Sequence, residues 1–480
     1  MMKKNQLFLI LLLFSVAIVL AQGVRIEPNS NIKIESGTTL QLDNGNLYID
    51  SDASGDASLI DIGSMSYVNG EAKVQRYLTE QCWHFISSPV IGAKAAMFEN
   101  DYLQYHSESS NLYTEISSLT DDLNPMQGYG LWIVDESAST ELFSGVTYTG
   151  NKSKSFTQSG AGFNLLGNPY PSAIDWESVS IPGQLNGAYW VFDATIGVEG
   201  GDFREYISGG GAANTTSQYI PMGQGFFVRA TSGNGTLTFT NNDRTHHTQS
   251  FYKDAPETKL DTELLLIKAT GNNVTMQTAV RFNSKATSSF DREYDVYKVS
   301  SGNIDIPVIY TKCDGENMAI NTFATYIGNE IVPLYFEAGM SGNYSFDALL
   351  ENMDMNTGVY LEDLNSNFIQ NLKQNPHYSF NYETGEIKHF NIRFKDVTGT
   401  EDLETNSIQC YLSDHILYVN FDELKFSNAK IDVFNLSGQS MMSNETAQKE
   451  NQFPFIGSQS VYIVQITSDK NTYSTKVINR

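Results

Sequence analysis

Apolar and polar residues alternate with a period of two through most of the chain, as in Thr236-Leu237-Thr238-Phe239-Thr240 and Ser460-Val461-Tyr462-Ile463-Val464-Gln465-Ile466. Successive side chains of a strand point to opposite faces, so this pattern predicts half-buried β-strands. Asn69-Gly70, Gly271-Asn272-Asn273 and Asp314-Gly315 interrupt the runs with residues that accept φ > 0, as hairpin turns require. Helical signals are few; residues 345–351 are the one short stretch that reads as a helix. The expected class is all-β, with tandem β-sandwich-like domains.

Residues 24–78 carry very short apolar runs about eight residues apart. Strands this short hold only when stacked, which predicts solenoid-like rungs or a small meander with no fixed period. A duplication follows. Phe85-Ile86-Ser87-Ser88-Pro89 aligns with Leu165-Leu166-Gly167-Asn168-Pro169 at an offset of 80, and Gly128-Tyr129-Gly130 with Gly223-Gln224-Gly225 at an offset of 95. The second copy thus holds fifteen more residues, placed by this alignment between Phe192 and Tyr219. The resulting organisation is a leader (1–21), a short-strand region (22–80), the duplicated unit (81–255), a β-sandwich (258–395), a polar linker (396–406) and a terminal sandwich (407–480).

The leader follows from Lys3 and Lys4 ahead of an apolar run over residues 7–21, broken only by Ser15, with Val19 and Ala21 at the positions a signal peptidase reads. The run is too short to span a bilayer, and Gln22 stands where a lipoprotein would need Cys. The reading is an exported protein. Its 30 basic and 55 acidic residues give a net charge of −25, which repels nucleic acid and anionic lipid. Three widely spaced cysteines, Cys82, Cys313 and Cys410, offer no disulfide framework or zinc pair and read as buried thiols.

Candidate chemistry is sparse. Asp50, Asp52, Ser54, Asp56 and Asp61 fit the alternate spacing of a twelve-residue calcium loop, with Gly55 at its sixth position. The flanks are strand-like, which favours a solvated turn; calcium is the only cofactor suggested. His246-His247 is the sole histidine cluster and reads as an exposed loop. Asp121-Asp122 reads as a solvated face. No nucleophile elbow, P-loop or dinucleotide fingerprint occurs, so no catalytic residue is assigned and the chain reads as non-enzymatic. Trp83, Trp132, Tyr170, Trp176, Tyr189 and Trp190 concentrate in the duplicated region, where core packing is the first reading and stacking on sugar rings the alternative.

The blocks Ala429-Lys430-Ile431-Asp432-Val433-Phe434-Asn435-Leu436-Ser437-Gly438-Gln439, Val461-Tyr462-Ile463-Val464-Gln465-Ile466 and Thr472-Tyr473-Ser474-Thr475-Lys476-Val477-Ile478 resemble the type A C-terminal sorting domain of type IX secretion cargo. Ser460 replaces the usual Gly before the Val-Tyr pair. The resemblance implies an Ig-like sandwich recognised by an outer-membrane translocon, with Asn435, Leu436, Gly438, Val461, Tyr462 and Lys476 as its motif residues. Residues 45–395 are similar to uncharacterised adhesin-like bacterial surface proteins, through blocks such as Trp83-His84-Phe85-Ile86 and Asp291-Arg292-Glu293-Tyr294-Asp295. The expected function is therefore an exported, cell-surface or secreted protein with an adhesive or ligand-binding role. The alternatives are a carbohydrate-binding accessory protein, with a glycan as partner, and a secreted hydrolase.

Overall fold

A computed structural model describes residues 18–21, 23–197, 201–207, 216–247, 263–325, 331–354, 357–366, 368–396, 408–413, 415–421, 429–446, 448, 450–458, 460–468 and 472–479. It is all-β: 57% strand and 3% helical, the helical part being one-turn 3-10 segments such as Ala95–Phe98 and Trp176–Ser178. The expected helix over 345–351 is instead part of the strand Gly342–Glu351. Pairing with Glu263–Gly271 on one side and His377–Tyr382 on the other overrides the helix propensity of Ala348-Leu349-Leu350. The leader lies outside the described residues except Ile18–Ala21, whose backbone runs parallel to Thr39–Leu42. The chain divides into two compact units, one of residues up to 355 with 376–389, the other of 356–375 with 390–480.

The first unit begins as a parallel solenoid. Ile18 pairs with Thr39, Val24 with Leu47 and Leu47 with Ala72, Asn31 with Ser58, and Thr39 with Ser64, so a rung recurs every 21 to 27 residues. Asn69 Nδ2 donates to Asn44 Oδ1 (2.7 Å), and the Glu71 amide to Asn46 Oδ1 (3.1 Å), stacking one Asn-Gly corner on the next. Between them a Cβ on Gly70 would lie 1.9 Å from the Gly45 carbonyl oxygen, which only glycine avoids. Leu42, Leu47, Ile49, Leu59, Ala72 and Val74 fill the bore.

The duplication is real in topology. Trp83–Ile86, Tyr129–Trp132, Tyr102–Ser107 and Leu112–Glu115 lie side by side in that order; Phe163–Gly167, Gly225–Arg229, Ala188–Asp193 and Asp202–Ile207 repeat it. The registers correct the sequence alignment. Phe85 pairs with Gly130 and Leu165 with Phe227, so the last strands match at an offset of 97 rather than 95. A slip of two leaves every side chain on its own face, and both copies read Gly-x-Gly, so the pattern could not detect it. The extra residues are also spread out. The offset is 86 at the second strand, through Gln104 and Trp190, and 90 at the third, through Glu115 and Glu205. Part of the excess thus precedes Ala188, where Asn186 Nδ2 donates to the Arg292 and Asp295 carbonyls at 3.0 and 2.9 Å.

The copies lock reciprocally. Gln127 Nε2 donates to the Gly128 and Leu165 carbonyls, and Gln224 Nε2 to those of Gly225 and Phe85. Backbone bridges join Gln127 to Leu166 and Ile86 to Gln224. A Cβ on Gly128 would stand 2.3 Å from the Leu166 carbonyl oxygen and 2.7 Å from Leu165 Cγ. Gly128→Ala is therefore expected to cost about 1–3 kcal/mol in denaturant unfolding, the usual cost of overpacking. Gly183→Ala, with nothing within 4 Å, serves as the silent control.

Within the first unit a further sheet, ordered Ile331–Glu337, Val308–Cys313, Glu316–Phe323, Val274–Phe282, Glu263–Gly271, Gly342–Glu351 and His377–Tyr382, rolls onto itself. Phe336 of Ile331–Glu337 lies 5.0 to 5.8 Å from the rings of Tyr344 and Phe346 of Gly342–Glu351 and of Phe380 and Tyr382 of His377–Tyr382, an aromatic plug that makes a near-barrel.

In the second unit Ile408–Ser413, Ile416–Phe421 and Glu450–Pro454 form one sheet, and Ser440–Thr446, Ala429–Asn435, Ser460–Ser468 and Thr472–Asn479 another. Leu417 and Val419 of the first sheet share a core with Ile431, Val433, Val464 and Ile466 of the second. The expected linker falls outside the described residues beyond Asp396, which ends the strand Lys388–Asp396.

Candidate functional site

The five residues spaced like a calcium loop do not converge. Ser51–Asp52 and Gly55–Asp56 are a hairpin, and extended backbone sends neighbouring side chains to opposite faces. Asp50 Oδ2 faces Arg25 Nη1 at 2.5 Å, Asp56 is paired with the buried Arg76, and Asp61 Oδ1 lies 2.8 Å from Arg244 Nη1. Asp52 closes the turn by accepting from the Ser54 amide (2.7 Å) and hydroxyl (2.6 Å), and those bonds hold its carboxyl below its ordinary range. Ser54 also receives Asn29 Nδ2 at 2.9 Å. Among the described residues no group of three or more His, Cys, Asp or Glu is placed to hold a metal ion. The partners, Arg25, Arg76 and Arg244, come from different stretches of the chain, and no local spacing rule could have found them.

Arg244 is the centre of a buried polar knot. Besides Asp61 it donates from Nη2 to the Leu59 carbonyl (2.8 Å) and from Nε to Ser172 Oγ (3.1 Å), with its guanidinium 4.6 Å from the Tyr170 ring centre. Burial pushes the Asp61 carboxyl up, and Arg244 pulls it partly back. Tyr170 is fully buried and donates to the Gly150 carbonyl at 2.7 Å, so the Gly167-Asn168-Pro169-Tyr170 turn is structural.

The remaining candidates separate by burial. Trp176, Trp190 and Tyr189 are core residues, whereas Trp83 and Trp132 are half-buried, 5.6 Å apart and inclined at 64°. His246 and His247 are half-buried rather than in an exposed loop. Nδ1 of His246 meets Ser58 Oγ at 2.9 Å, and His247 stacks on Tyr219 at 4.1 Å. Asp122 pairs with Lys94 at 2.6 Å on an exposed edge.

Cys82 Sγ stands 3.2 Å from His84 Nε2, the one thiol–imidazole contact among the described residues. It is not an activated nucleophile. Nε2 lies 2.9 Å from the Thr79 carbonyl, an acceptor only, so it carries the proton and cannot take one from the thiol. Burial lowers His84 to about 4 and raises Cys82, opposite to the shifts an ion pair needs. All three cysteines are free; Cys313 is buried and the other two half-buried.

A further anion site was invisible in the sequence. The buried Glu108 carboxylate accepts four bonds from the second copy: Thr157 Oγ1 (2.9 Å) and the amides of Ser159 (2.9 Å), Gly160 (2.7 Å) and Gly162 (2.8 Å). Burial pushes the carboxyl up, but these donors together hold it below its ordinary range.

The terminal motif residues occupy defined places. Asn435 Oδ1 accepts from the Ser437 and Gln439 amides (3.1 and 2.9 Å), and Gly438 takes φ +80° to close the hairpin. Leu436 is 67% exposed at its tip. Val461 pairs with Ile478, Tyr462 is buried against Phe455 with its hydroxyl donating to the Ser458 carbonyl (3.0 Å), and Lys476 is exposed.

Comparison with known proteins finds no curated relative. One family model matches, over residues 13–187 and 176–395, ending before the terminal sandwich. That match takes in well over half of the sequence, and the chain belongs to the family described as Domain of unknown function (DUF8693).

Proposed function

We propose that the protein is exported and acts outside the cell as an adhesive or ligand-binding scaffold, with the terminal sandwich as the address that a type IX secretion translocon reads. The observation that carries this reading is the seven-stranded terminal sandwich, which sets the Asn435–Gly438 corner and the closing hairpin Ser460–Ser468 with Thr472–Asn479 into one sheet. A scaffold role without chemistry of its own is supported by how polar groups in the first unit are used. Asp50, Asp56 and Asp61 are matched to arginines, Glu108 to four donors, and the Cys82–His84 contact is held in the inactive proton arrangement.

The test is protease shaving of intact producing cells, with fractionation of washed cells and medium. The chain is expected to be cut at the surface or recovered from the medium. A full-length chain that stays protected inside the cell would refute export.

A further inference from the structure

Trp83, Trp132 and Tyr102 form a row across three adjacent strands of the first copy. Trp83 pairs with Trp132 and Trp132 with Tyr102, so all three side chains leave the same face. Neighbouring strands lie about 4.8 Å apart, which makes the row about as wide as two sugar rings. Tyr102 is 55% exposed, and the two tryptophans are half-buried. The next row on that face runs from the buried Phe85 through Gly130 to Gln104 and, paired with it, Glu115, which offer amide and carboxylate groups beside the rings.

The second copy shows what such a row becomes when it is an internal contact. The matching residues are Phe163, Arg229 and Ala188. Arg229 lies 3.6 Å from the Tyr297 ring centre, Trp190 donates to the Tyr297 carbonyl at 3.2 Å, and Ala188 is fully buried. Tyr297 thus covers Arg229 in the middle of the row, and the position that Tyr102 holds in the first copy is taken by the buried Ala188. The first copy keeps three large rings at these positions: Trp83 packs at one end against the core that holds Phe85 and Phe227, and Tyr102 faces water at the other.

We infer that this row is a binding site for neutral glycans, with a pyranose face stacked on Trp132 and Tyr102 and its hydroxyls meeting Gln104 and Glu115. Aromatic faces attract the C–H face of a sugar, while the hydroxyl rim seeks amide and carboxylate partners. The net charge of −25 selects neutral over anionic polysaccharide. The 64° inclination of Trp83 to Trp132 suits a single bent chain rather than a flat crystalline surface. The inference narrows the proposed ligand-binding role to one ligand class; it is tested on purified chain, so a failure of export leaves it untouched.

The experiment titrates the full-length protein with cellohexaose, xylohexaose, mannohexaose and chitohexaose, read by calorimetry and tryptophan fluorescence. Trp176 and Trp190 are fully buried, so acrylamide quenching reports Trp83 and Trp132. At least one hexaose is expected to bind and to protect the accessible tryptophans. Tyr102→Ala should weaken binding about tenfold or more, the scale of losing one ring contact. Tyr411→Ala, which removes an exposed tyrosine of the other unit, should leave it unchanged. Failure of all four sugars to bind, or binding insensitive to Tyr102→Ala, would overturn the inference. Because Tyr102 is largely exposed, circular dichroism of that variant should match the parent, which separates lost binding from lost folding.

Discussion

Replacing Arg244 by methionine is expected to lower the apparent unfolding free energy of the first unit by about 3–5 kcal/mol, the usual cost of breaking a buried ion pair. Both members of the Asp61–Arg244 pair are essentially inaccessible, with side-chain exposures of 1% and 0%. Removing the guanidinium strands a carboxylate whose burial already raises its pKa, and it strips donors from the Leu59 carbonyl and Ser172. The loss should deepen with pH. A raised carboxyl binds protons in the folded state that the unfolded chain has released, so stability falls as pH rises through the folded pKa. Guanidinium unfolding at pH 5 and pH 8 reads both effects. The companion Asp61→Asn with Arg244→Met should recover much of the loss, since it leaves no unpaired charge. A single-variant loss below about 1 kcal/mol would mean that the pair is not the lock its geometry indicates.

Glu108→Ala should cost about 3 kcal/mol, because the amides of Ser159, Gly160 and Gly162 lose a charged acceptor and hydrogen bonds to charged groups contribute about 1.5–3 kcal/mol each before relaxation. The pH sign is opposite to that of Asp61. A depressed carboxyl contributes stability that is present above its unfolded pKa and is lost as pH falls through the folded value. The parent should therefore lose this contribution in acid, and the Ala variant should show a flatter acid limb in thermal melts. An unchanged melting profile at neutral pH would contradict a stabilising role for the four bonds to Glu108. Asp295, which burial pushes up to about 6, works in the other direction, so the slope should be compared between parent and variant rather than read alone.

Period-two alternation made the strand class legible, and the Phe85–Pro89 and Leu165–Pro169 blocks exposed the duplication. The rung length was hidden because successive turns vary, so parallel partners such as Asn31 and Ser58 stand 27 apart while Val24 and Leu47 stand 23 apart. The helix at 345–351 misled because propensity is local, whereas that segment is held by strands on both sides. The calcium spacing misled for a related reason. Its acids alternate correctly in sequence, but Asp50, Asp56 and Asp61 are matched to arginines that only tertiary folding brings near, and Asp52 is used in closing its own turn. The aromatic row became visible only after registers placed Tyr102 beside Trp132, since Trp83, Tyr102 and Trp132 are scattered in the sequence.

If the terminal sandwich is the export address, removing it should strand the rest of the chain inside the cell. The full-length chain and one ending at Asp396 should be produced in parallel and followed by fractionation and surface proteolysis. Full-length protein is expected outside the cell and the truncated chain is expected to accumulate folded in the periplasm; equal delivery of both to the outside would contradict the claim.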